Sequence, residues 1–185
     1  MAQNPTYNVT VNSIPADIAS FEAMRDSIAS TPEGGAVAFV IALKMYMTNP
    51  TEGIKAIIVA VDQGNLGKSN SSESYKGYGL DNSAKFLIGQ LKGKPNTVNS
   101  YLPGSSRQNG YTPANPPYNF TLSSNRFSGS VESGEFKVFI PSSGADTPRP
   151  ITMKRNTKGI WKASGFSSIV VGVAAPVVTD DGDDL

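Results

Sequence analysis

The spacing of apolar residues changes near Thr97, and this change constrains the fold more than any other feature of the sequence. Before Thr97, apolar residues recur every three or four positions, which is the spacing of an amphipathic helix. After it, short segments alternate apolar and polar residues, as strands with one buried face do. The order predicts an α+β fold, in which N-terminal helices pack on one face of a curved antiparallel sheet formed by the C-terminal half.

Capping signals and apolar spacing predict four helices in the first half of the chain, at about residues 15–29, 32–47, 50–62 and 83–91. The second helix is apolar nearly all round from Ala36 to Met47, so we expect it to be the most buried element. Six later segments are predicted as strands, at residues 97–102, 118–122, 135–140, 151–155, 160–163 and 168–173. The turn 156–159 should join two of them as a hairpin.

A chain of 185 residues suits a single domain. We expect an N-terminal extension at residues 1–13, one α+β domain at residues 14–176 and an acidic disordered tail at residues 177–185. The first residues lack the pattern of a signal peptide, so the cytoplasm is the expected location, with secretion open if such a peptide has been removed.

The sequence contains no Cys and no His. Their absence excludes a Ser-His-Asp triad, a Cys nucleophile and the usual zinc, copper, haem and iron–sulfur sites. The segment Gly64–Ser69 ends like a phosphate-binding loop, but Asp62 stands where the first glycine of that motif belongs. We therefore predict no metal and no cofactor.

The charges of the chain are spread unevenly, although the formal net charge is +1. Residues 63–162 hold an excess of basic side chains, which is mild for a nucleic-acid binder, so no nucleic-acid partner is expected. The longest apolar stretch, residues 36–47, contains Lys44 and is too short to span a bilayer, so no membrane partner is expected either. A small molecule, a peptide or a protein remains as the partner, with a homodimer as one option.

Two groups of residues are candidate ligand contacts. The first consists of loop tyrosines with two basic neighbours, because tyrosine suits loops that bind sugars, peptides or proteins: Tyr75, Lys76, Tyr78, Tyr101, Arg107 and Tyr111. Anchoring of the long loops to the body of the domain is the favoured role of these tyrosines. The competing hypothesis, on which the ligand site depends, is that all four converge at one end of the sheet. The second group is a row of lysines on the exposed sheet face, which could hold an anion or keep the face soluble: Lys137, Lys154 and Lys162.

Several further segments carry a family resemblance: 75–78, 94–95, 100–101, 109–111, 116–117, 143–146, 149–155, 159–162 and 166–168. Together they resemble an uncharacterised bacterial domain family over about residues 14–176. The resemblance implies no activity. The closing hairpin with Trp161-Lys162 is also similar in pattern to the last strands of NTF2-like cones.

These observations favour a non-enzymatic module that binds a ligand or protein through the tyrosine-rich loops and the open sheet face. One alternative is an enzyme with a carboxylate, Tyr and Lys pocket in an NTF2-like cone. The other is a structural unit of a larger assembly. No catalytic residue is predicted.

Overall fold

The computed structural model describes residues 2–179 and has the predicted α+β architecture. Its helices are α1 (Ile18–Ile28), α2 (Pro32–Thr48), α3 (Pro50–Ala60), α4 (Asn82–Gly89) and α5 (Pro95–Asn99). Its strands are β1 (Thr6–Val11), β2 (Leu66–Lys68), β3 (Tyr78–Leu80), β4 (Tyr118–Ser123), β5 (Gly129–Ser130), β6 (Glu135–Ile140), β7 (Arg149–Arg155) and β8 (Trp161–Gly165).

The main sheet is antiparallel and has the order β1-β4-β6-β7-β8, with β5 added on β6. Strands β2 and β3 form a separate hairpin. Alternate residues of the main sheet face the helices, and the intervening residues form the outer face, as the alternation in β6 predicts. Strands β4 and β6 pair only at Ser123 and Phe139, so the sheet is split beyond that point.

Helix α2 is the centre of the core, as predicted. Every residue from Gly34 to Leu43 is buried, and its N-terminus has the predicted cap, since the Thr31 hydroxyl accepts a hydrogen bond from the Gly34 N–H at 3.1 Å. The helix contacts β8 closely because Gly35 has no side chain: a Cβ there would lie 2.5 Å from the Trp161 carbonyl oxygen. Trp161 is buried on this helix-facing side.

Three segments differ from the predictions. Residues 97–102 do not form a strand, because Pro95 starts the short helix α5, which buries Thr97 and Val98. The turn that follows α5 buries Tyr101 and Leu102. Residues 168–173 do not form a strand either, because Ser167–Val170 is a 3-10 turn that buries Ile169 and Val170 side by side. Part of the expected extension 1–13 is strand β1, which pairs with β4 over six residues.

The expected acidic tail 177–185 falls largely outside the described residues. Its first residue, Val177, donates its backbone N–H to the Arg107 carbonyl oxygen at 3.0 Å.

Candidate functional site

The largest of the described cavities, of about 620 Å³, opens where α3, the β2–β3 hairpin and the end of the main sheet meet. We call it the lysine cleft. Its polar wall consists of Asp62, Gln63, Ser133, Glu135, Lys154, Arg155, Asn156, Thr157 and Lys162, and its apolar wall of Ile58, Val61 and Leu66. The cleft therefore combines several charged groups with an apolar side.

The sheet register places the predicted lysine row on one face. Lys154 of β7 lies directly opposite Lys162 of β8. Lys137 of β6 lies opposite Thr152, two residues from Lys154. Lys154 and Lys162 line the lysine cleft, whereas Lys137 lines a neighbouring cavity that shares Ser133 and Glu135 with it.

The two lysines of the cleft have different surroundings. The Lys154 ammonium is exposed and lies 3.9 Å from a Glu135 carboxylate oxygen. Lys162 is partly buried and donates a hydrogen bond to the Val59 carbonyl oxygen near the end of α3. Burial lowers the pKa of Lys162 to about 8, and the nearby Arg25 guanidinium acts in the same direction.

The acidic groups around Lys162 are largely engaged elsewhere. Asp62 accepts a hydrogen bond from the Gly64 N–H at 2.9 Å, which caps a short 3-10 turn. Glu22 of α1 binds the Lys76 ammonium at 2.7 Å. Within residues 2–179, no carboxylate oxygen lies within 4.0 Å of the Lys162 ammonium. The sequence analysis did not place Glu22 or Asp62 near Lys162, because only the fold brings them close to β8.

The predicted tyrosines fall into two groups and do not converge. Tyr75, Lys76 and Tyr78 lie at or beside the β2–β3 hairpin. The Tyr75 hydroxyl donates to the same Glu22 oxygen that Lys76 binds, at 3.3 Å, and Tyr78 is 44% exposed. This group lies near the lysine cleft, since Leu66 of the same hairpin lines it.

The second group anchors the C-terminal segment and its members share no described cavity, since Tyr101 lines a cavity of about 300 Å³ that neither Arg107 nor Tyr111 lines. The buried Tyr101 hydroxyl donates to the Ile169 carbonyl oxygen at 2.7 Å, and burial raises the pKa of Tyr101. The buried Tyr111 hydroxyl donates to the Ala174 carbonyl oxygen at 2.5 Å, and Arg107 donates to the Ala175 carbonyl oxygen at 2.9 Å. The expectation of convergence is therefore wrong, because long loops need such attachments to the body of the domain.

A second cavity, of about 300 Å³, lies at the split between β4 and β6. Four serines that the sequence analysis did not single out line it, namely Ser100, Ser105, Ser142 and Ser143. Their hydroxyls bond in pairs, from Ser142 to Ser100 at 2.8 Å and between Ser105 and Ser143 at 3.0 Å. These bonds tie the loop after α5 to the end of β6.

The described part of the chain offers no cluster of three or more acidic side chains that could hold a metal ion. Among residues 2–179, no helix combines the length and hydropathy needed to cross a bilayer. The basic groups of the lysine cleft, from Lys154, Arg155 and Lys162, can bind anionic oxygens, and the wall also holds the carboxylates of Asp62 and Glu135.

Neither the comparison with curated proteins nor that with solved structures finds a match to this chain. The similarity to NTF2-like cones thus has no support beyond its pattern. A family match spans residues 13–177, which is most of the chain. The chain belongs to the family described as a domain of unknown function, DUF6935.

Proposed function

We propose that this chain is a non-enzymatic binding module that holds an anionic ligand in the lysine cleft, at the end of the open sheet face. One observation carries the proposal: Lys154 and Lys162 lie directly opposite each other on adjacent strands. Like charges in this relationship destabilise a sheet. A ligand with anionic oxygens between the two ammonium groups would offset the repulsion and accept hydrogen bonds from both.

The charge balance of the cleft supports an anion over a cation. Glu135 lies beside Lys154, and the Asp62 carboxylate caps a turn, so both acidic groups of the wall already have partners. Lys162 has a carbonyl oxygen as its partner and no carboxylate within 4.0 Å in the described residues. Arg155 adds a third positive charge to the wall of the cleft. Its guanidinium carbon lies 5.5 Å from the centre of the Trp161 ring.

Of the predicted tyrosine site, only the residues at the β2–β3 hairpin remain candidate ligand contacts. Tyr78 is exposed and lies opposite Lys68, two residues along β2 from the cleft residue Leu66. Tyr75 and Lys76 are held by Glu22 and border this region. We therefore keep the hairpin as a second ligand contact and assign Tyr101, Arg107 and Tyr111 to loop anchoring.

The enzyme alternative has less support. A general acid needs a carboxyl whose pKa is raised. Within residues 2–179, a shifted pKa is found for the carboxyls of Asp17 and Glu52, and both pKa values are lowered. The hydrogen bond from the Ser20 N–H lowers that of Asp17, and the hydrogen bond from Lys55 is the largest cause for Glu52. Both are structural anions near helix N-termini.

The proposal is tested by titrating the ¹⁵N-labelled chain with tripolyphosphate and, separately, with citrate at constant ionic strength. We expect amide shifts confined to Asp62, Glu135, Lys154, Lys162 and their neighbours. The probe that binds with the higher affinity shows whether the cleft prefers phosphate or carboxylate oxygens.

The matched variants are Lys154→Gln/Lys162→Gln and, as a control, Lys85→Gln on the exposed side of α4. The double variant should lose at least tenfold in affinity, and the control should bind as the parent does. Equal binding by the double variant, or no binding of either probe at millimolar concentration, would overturn the proposal and favour a structural role.

A further inference from the structure

The two edges of the main sheet differ in how they are protected. At the β8 edge, the chain after α3 runs alongside the strand: Val61 bridges Ala163, and the Asp62 N–H donates to the Ala163 carbonyl oxygen at 2.8 Å. At the opposite edge, β1 pairs with β4 on one side only. In the part of the chain that the structure describes, no backbone hydrogen bond reaches the outer side of β1.

Strand β1 also lacks the features that normally prevent edge-to-edge association. Such features are charged side chains, proline, bulges and short length. Strand β1 is Thr-Tyr-Asn-Val-Thr-Val, it is six residues long, and its register with β4 is unbroken. Threonine, tyrosine and valine all favour the strand conformation. The outer side of β1 is thus an open and regular template for one more strand.

A second copy of β1 can pair with this outer side so that residues on the same face of the sheet lie opposite each other. If two copies run antiparallel with Val9 opposite Val9, Asn8 lies opposite Thr10 of the other copy, and Tyr7 lies opposite Val11. Side chains of each sheet face then meet side chains of the same face, as a sheet requires. No charge is brought opposite a like charge, because the six residues carry none.

The polar contacts of this pairing continue a pattern already present between β1 and β4. The Thr10 hydroxyl donates to the Asn119 side-chain oxygen at 2.9 Å, and the Thr121 hydroxyl donates to the Asn8 side-chain oxygen at 3.0 Å. These contacts leave the Asn8 amide N–H groups as donors and the Thr10 hydroxyl oxygen as an acceptor. In the antiparallel pair, each Asn8 can donate to the Thr10 of the other copy.

We propose that β1 is a self-association surface, at which two copies of the chain pair antiparallel about a two-fold axis at Val9 and form one continuous sheet. The inference does not depend on the lysine cleft, which lies at the other end of the sheet. A contact between single edge strands is smaller than the roughly 1,200–2,000 Å² of stable interfaces. The dimer should therefore be weak and dissociate on dilution.

The test is sedimentation equilibrium of the full chain over a concentration series from about 10 µM to 1 mM. The parent should rise from the monomer mass of 19.5 kDa toward twice that value. Asn8→Lys/Thr10→Lys should stay monomeric, because it places like charges opposite each other in this register and in the neighbouring one centred on Asn8.

The control variant is Asn119→Lys/Thr121→Lys on β4. Like the β1 variant, it adds two positive charges to the outer face of the sheet and removes the two side-chain hydrogen bonds between β1 and β4. Unlike the β1 variant, it leaves the edge strand β1 unchanged. It should dimerise as the parent does, and melting curves of both variants check that each is folded. A parent that stays monomeric, a β1 variant that still dimerises, or a folded control that loses dimerisation equally would overturn the proposal.

The register has its own test, because the chain contains no cysteine. Mixed Asn8→Cys and Thr10→Cys proteins should cross-link to each other under mild oxidation more than either does alone. Preferential cross-linking of Asn8→Cys to itself would overturn the proposed two-fold at Val9.

Discussion

The side-chain ammonium of Lys162 on β8 donates a hydrogen bond to the backbone carbonyl oxygen of Val59 in the last turn of α3. The last turn of α3 contains no basic residue of its own. Carbonyl groups in the last turn of a helix lack partners within the helix and attract cations. Lys162 therefore supplies a C-terminal cap to α3 from the sheet, together with Arg25, whose guanidinium donates to the same carbonyl oxygen at 3.5 Å. Lys162 also lines the lysine cleft.

This position makes stability depend on pH. The pKa of Lys162 is lowered from 10.5 to about 8 in the folded chain. Between these values the unfolded chain binds more protons, so the free energy of unfolding contributed by this group rises with pH. Relative to Lys162→Met, the parent should gain up to about 2 kcal/mol of stability from about pH 7.5 to pH 9.5, measured by urea unfolding.

The control for this measurement is Lys85→Met, whose stability relative to the parent should not vary over the same range. Lys44 and Tyr101, whose pKa values are also shifted by burial, are present in every variant and cancel in the difference. A difference between the parent and Lys162→Met that is constant with pH would show that the ammonium is not destabilised by burial.

The packing of α2 on β8 gives a second prediction. A Cβ at Gly35 would lie 2.5 Å from the Trp161 carbonyl oxygen and 2.9 Å from the Met153 methyl carbon. Gly35→Ala should therefore destabilise the fold by about 1–3 kcal/mol, because overpacking outweighs the better helix propensity of alanine. Thermal or urea unfolding measures the loss.

Gly89→Ala on α4 is the matched control, since nothing lies within 4 Å of a Cβ built there. It should leave stability unchanged or raise it by up to about 1 kcal/mol. Similar melting temperatures for the Gly35 and Gly89 variants would mean that α2 does not contact β8 as closely as described.

Helices α1 to α4 could be predicted because their signals are local. Thr31 and Pro32 fix the start of α2, and the apolar run after them identifies it as the buried centre. Strand β1 shows the limit of local signals: Tyr7, Val9 and Val11 alternate, but the partner strand β4 is more than a hundred residues away. The strand predicted at residues 97–102 is wrong, because Pro95 starts the short helix α5 there.

The tyrosine anchors give a third prediction. Tyr111→Phe removes the hydrogen bond to the Ala174 carbonyl oxygen and should cost about 1–2 kcal/mol. Amide hydrogen exchange at Gly172–Ala175 should become faster, while affinity for tripolyphosphate stays unchanged. Tyr78→Phe, at an exposed tyrosine, should leave stability within about 0.5 kcal/mol of the parent.

If Tyr111→Phe weakened anion binding as strongly as a cleft variant does, the separation of the two tyrosine groups would be contradicted. Unchanged exchange at Gly172–Ala175 would instead show that the hydroxyl does not hold the segment.

The candidate site could be predicted only in part. Alternation within β7 and β8 was enough to place Lys154 and Lys162 on the outer face, but their direct opposition depends on the register that the turn between the two strands sets. The irregularity between Thr152 and Met153 lies beyond this pair and does not change it. The contributions of Glu22 and Asp62 come from elements distant in sequence. The burial of Tyr101 and Tyr111 depends on the path of the C-terminal segment, which no periodic pattern indicates.

The central claim is that one anion contacts both Lys154 and Lys162, and a double-mutant cycle tests it most directly. The measurement is the dissociation constant of tripolyphosphate, by calorimetry, for the parent, Lys154→Gln, Lys162→Gln and the double variant. We predict that each single change weakens binding and that their effects are not additive, with a coupling of at least about 0.5 kcal/mol. Strictly additive effects, or an unchanged constant in any of the three variants, would contradict a shared anion site between the two lysines.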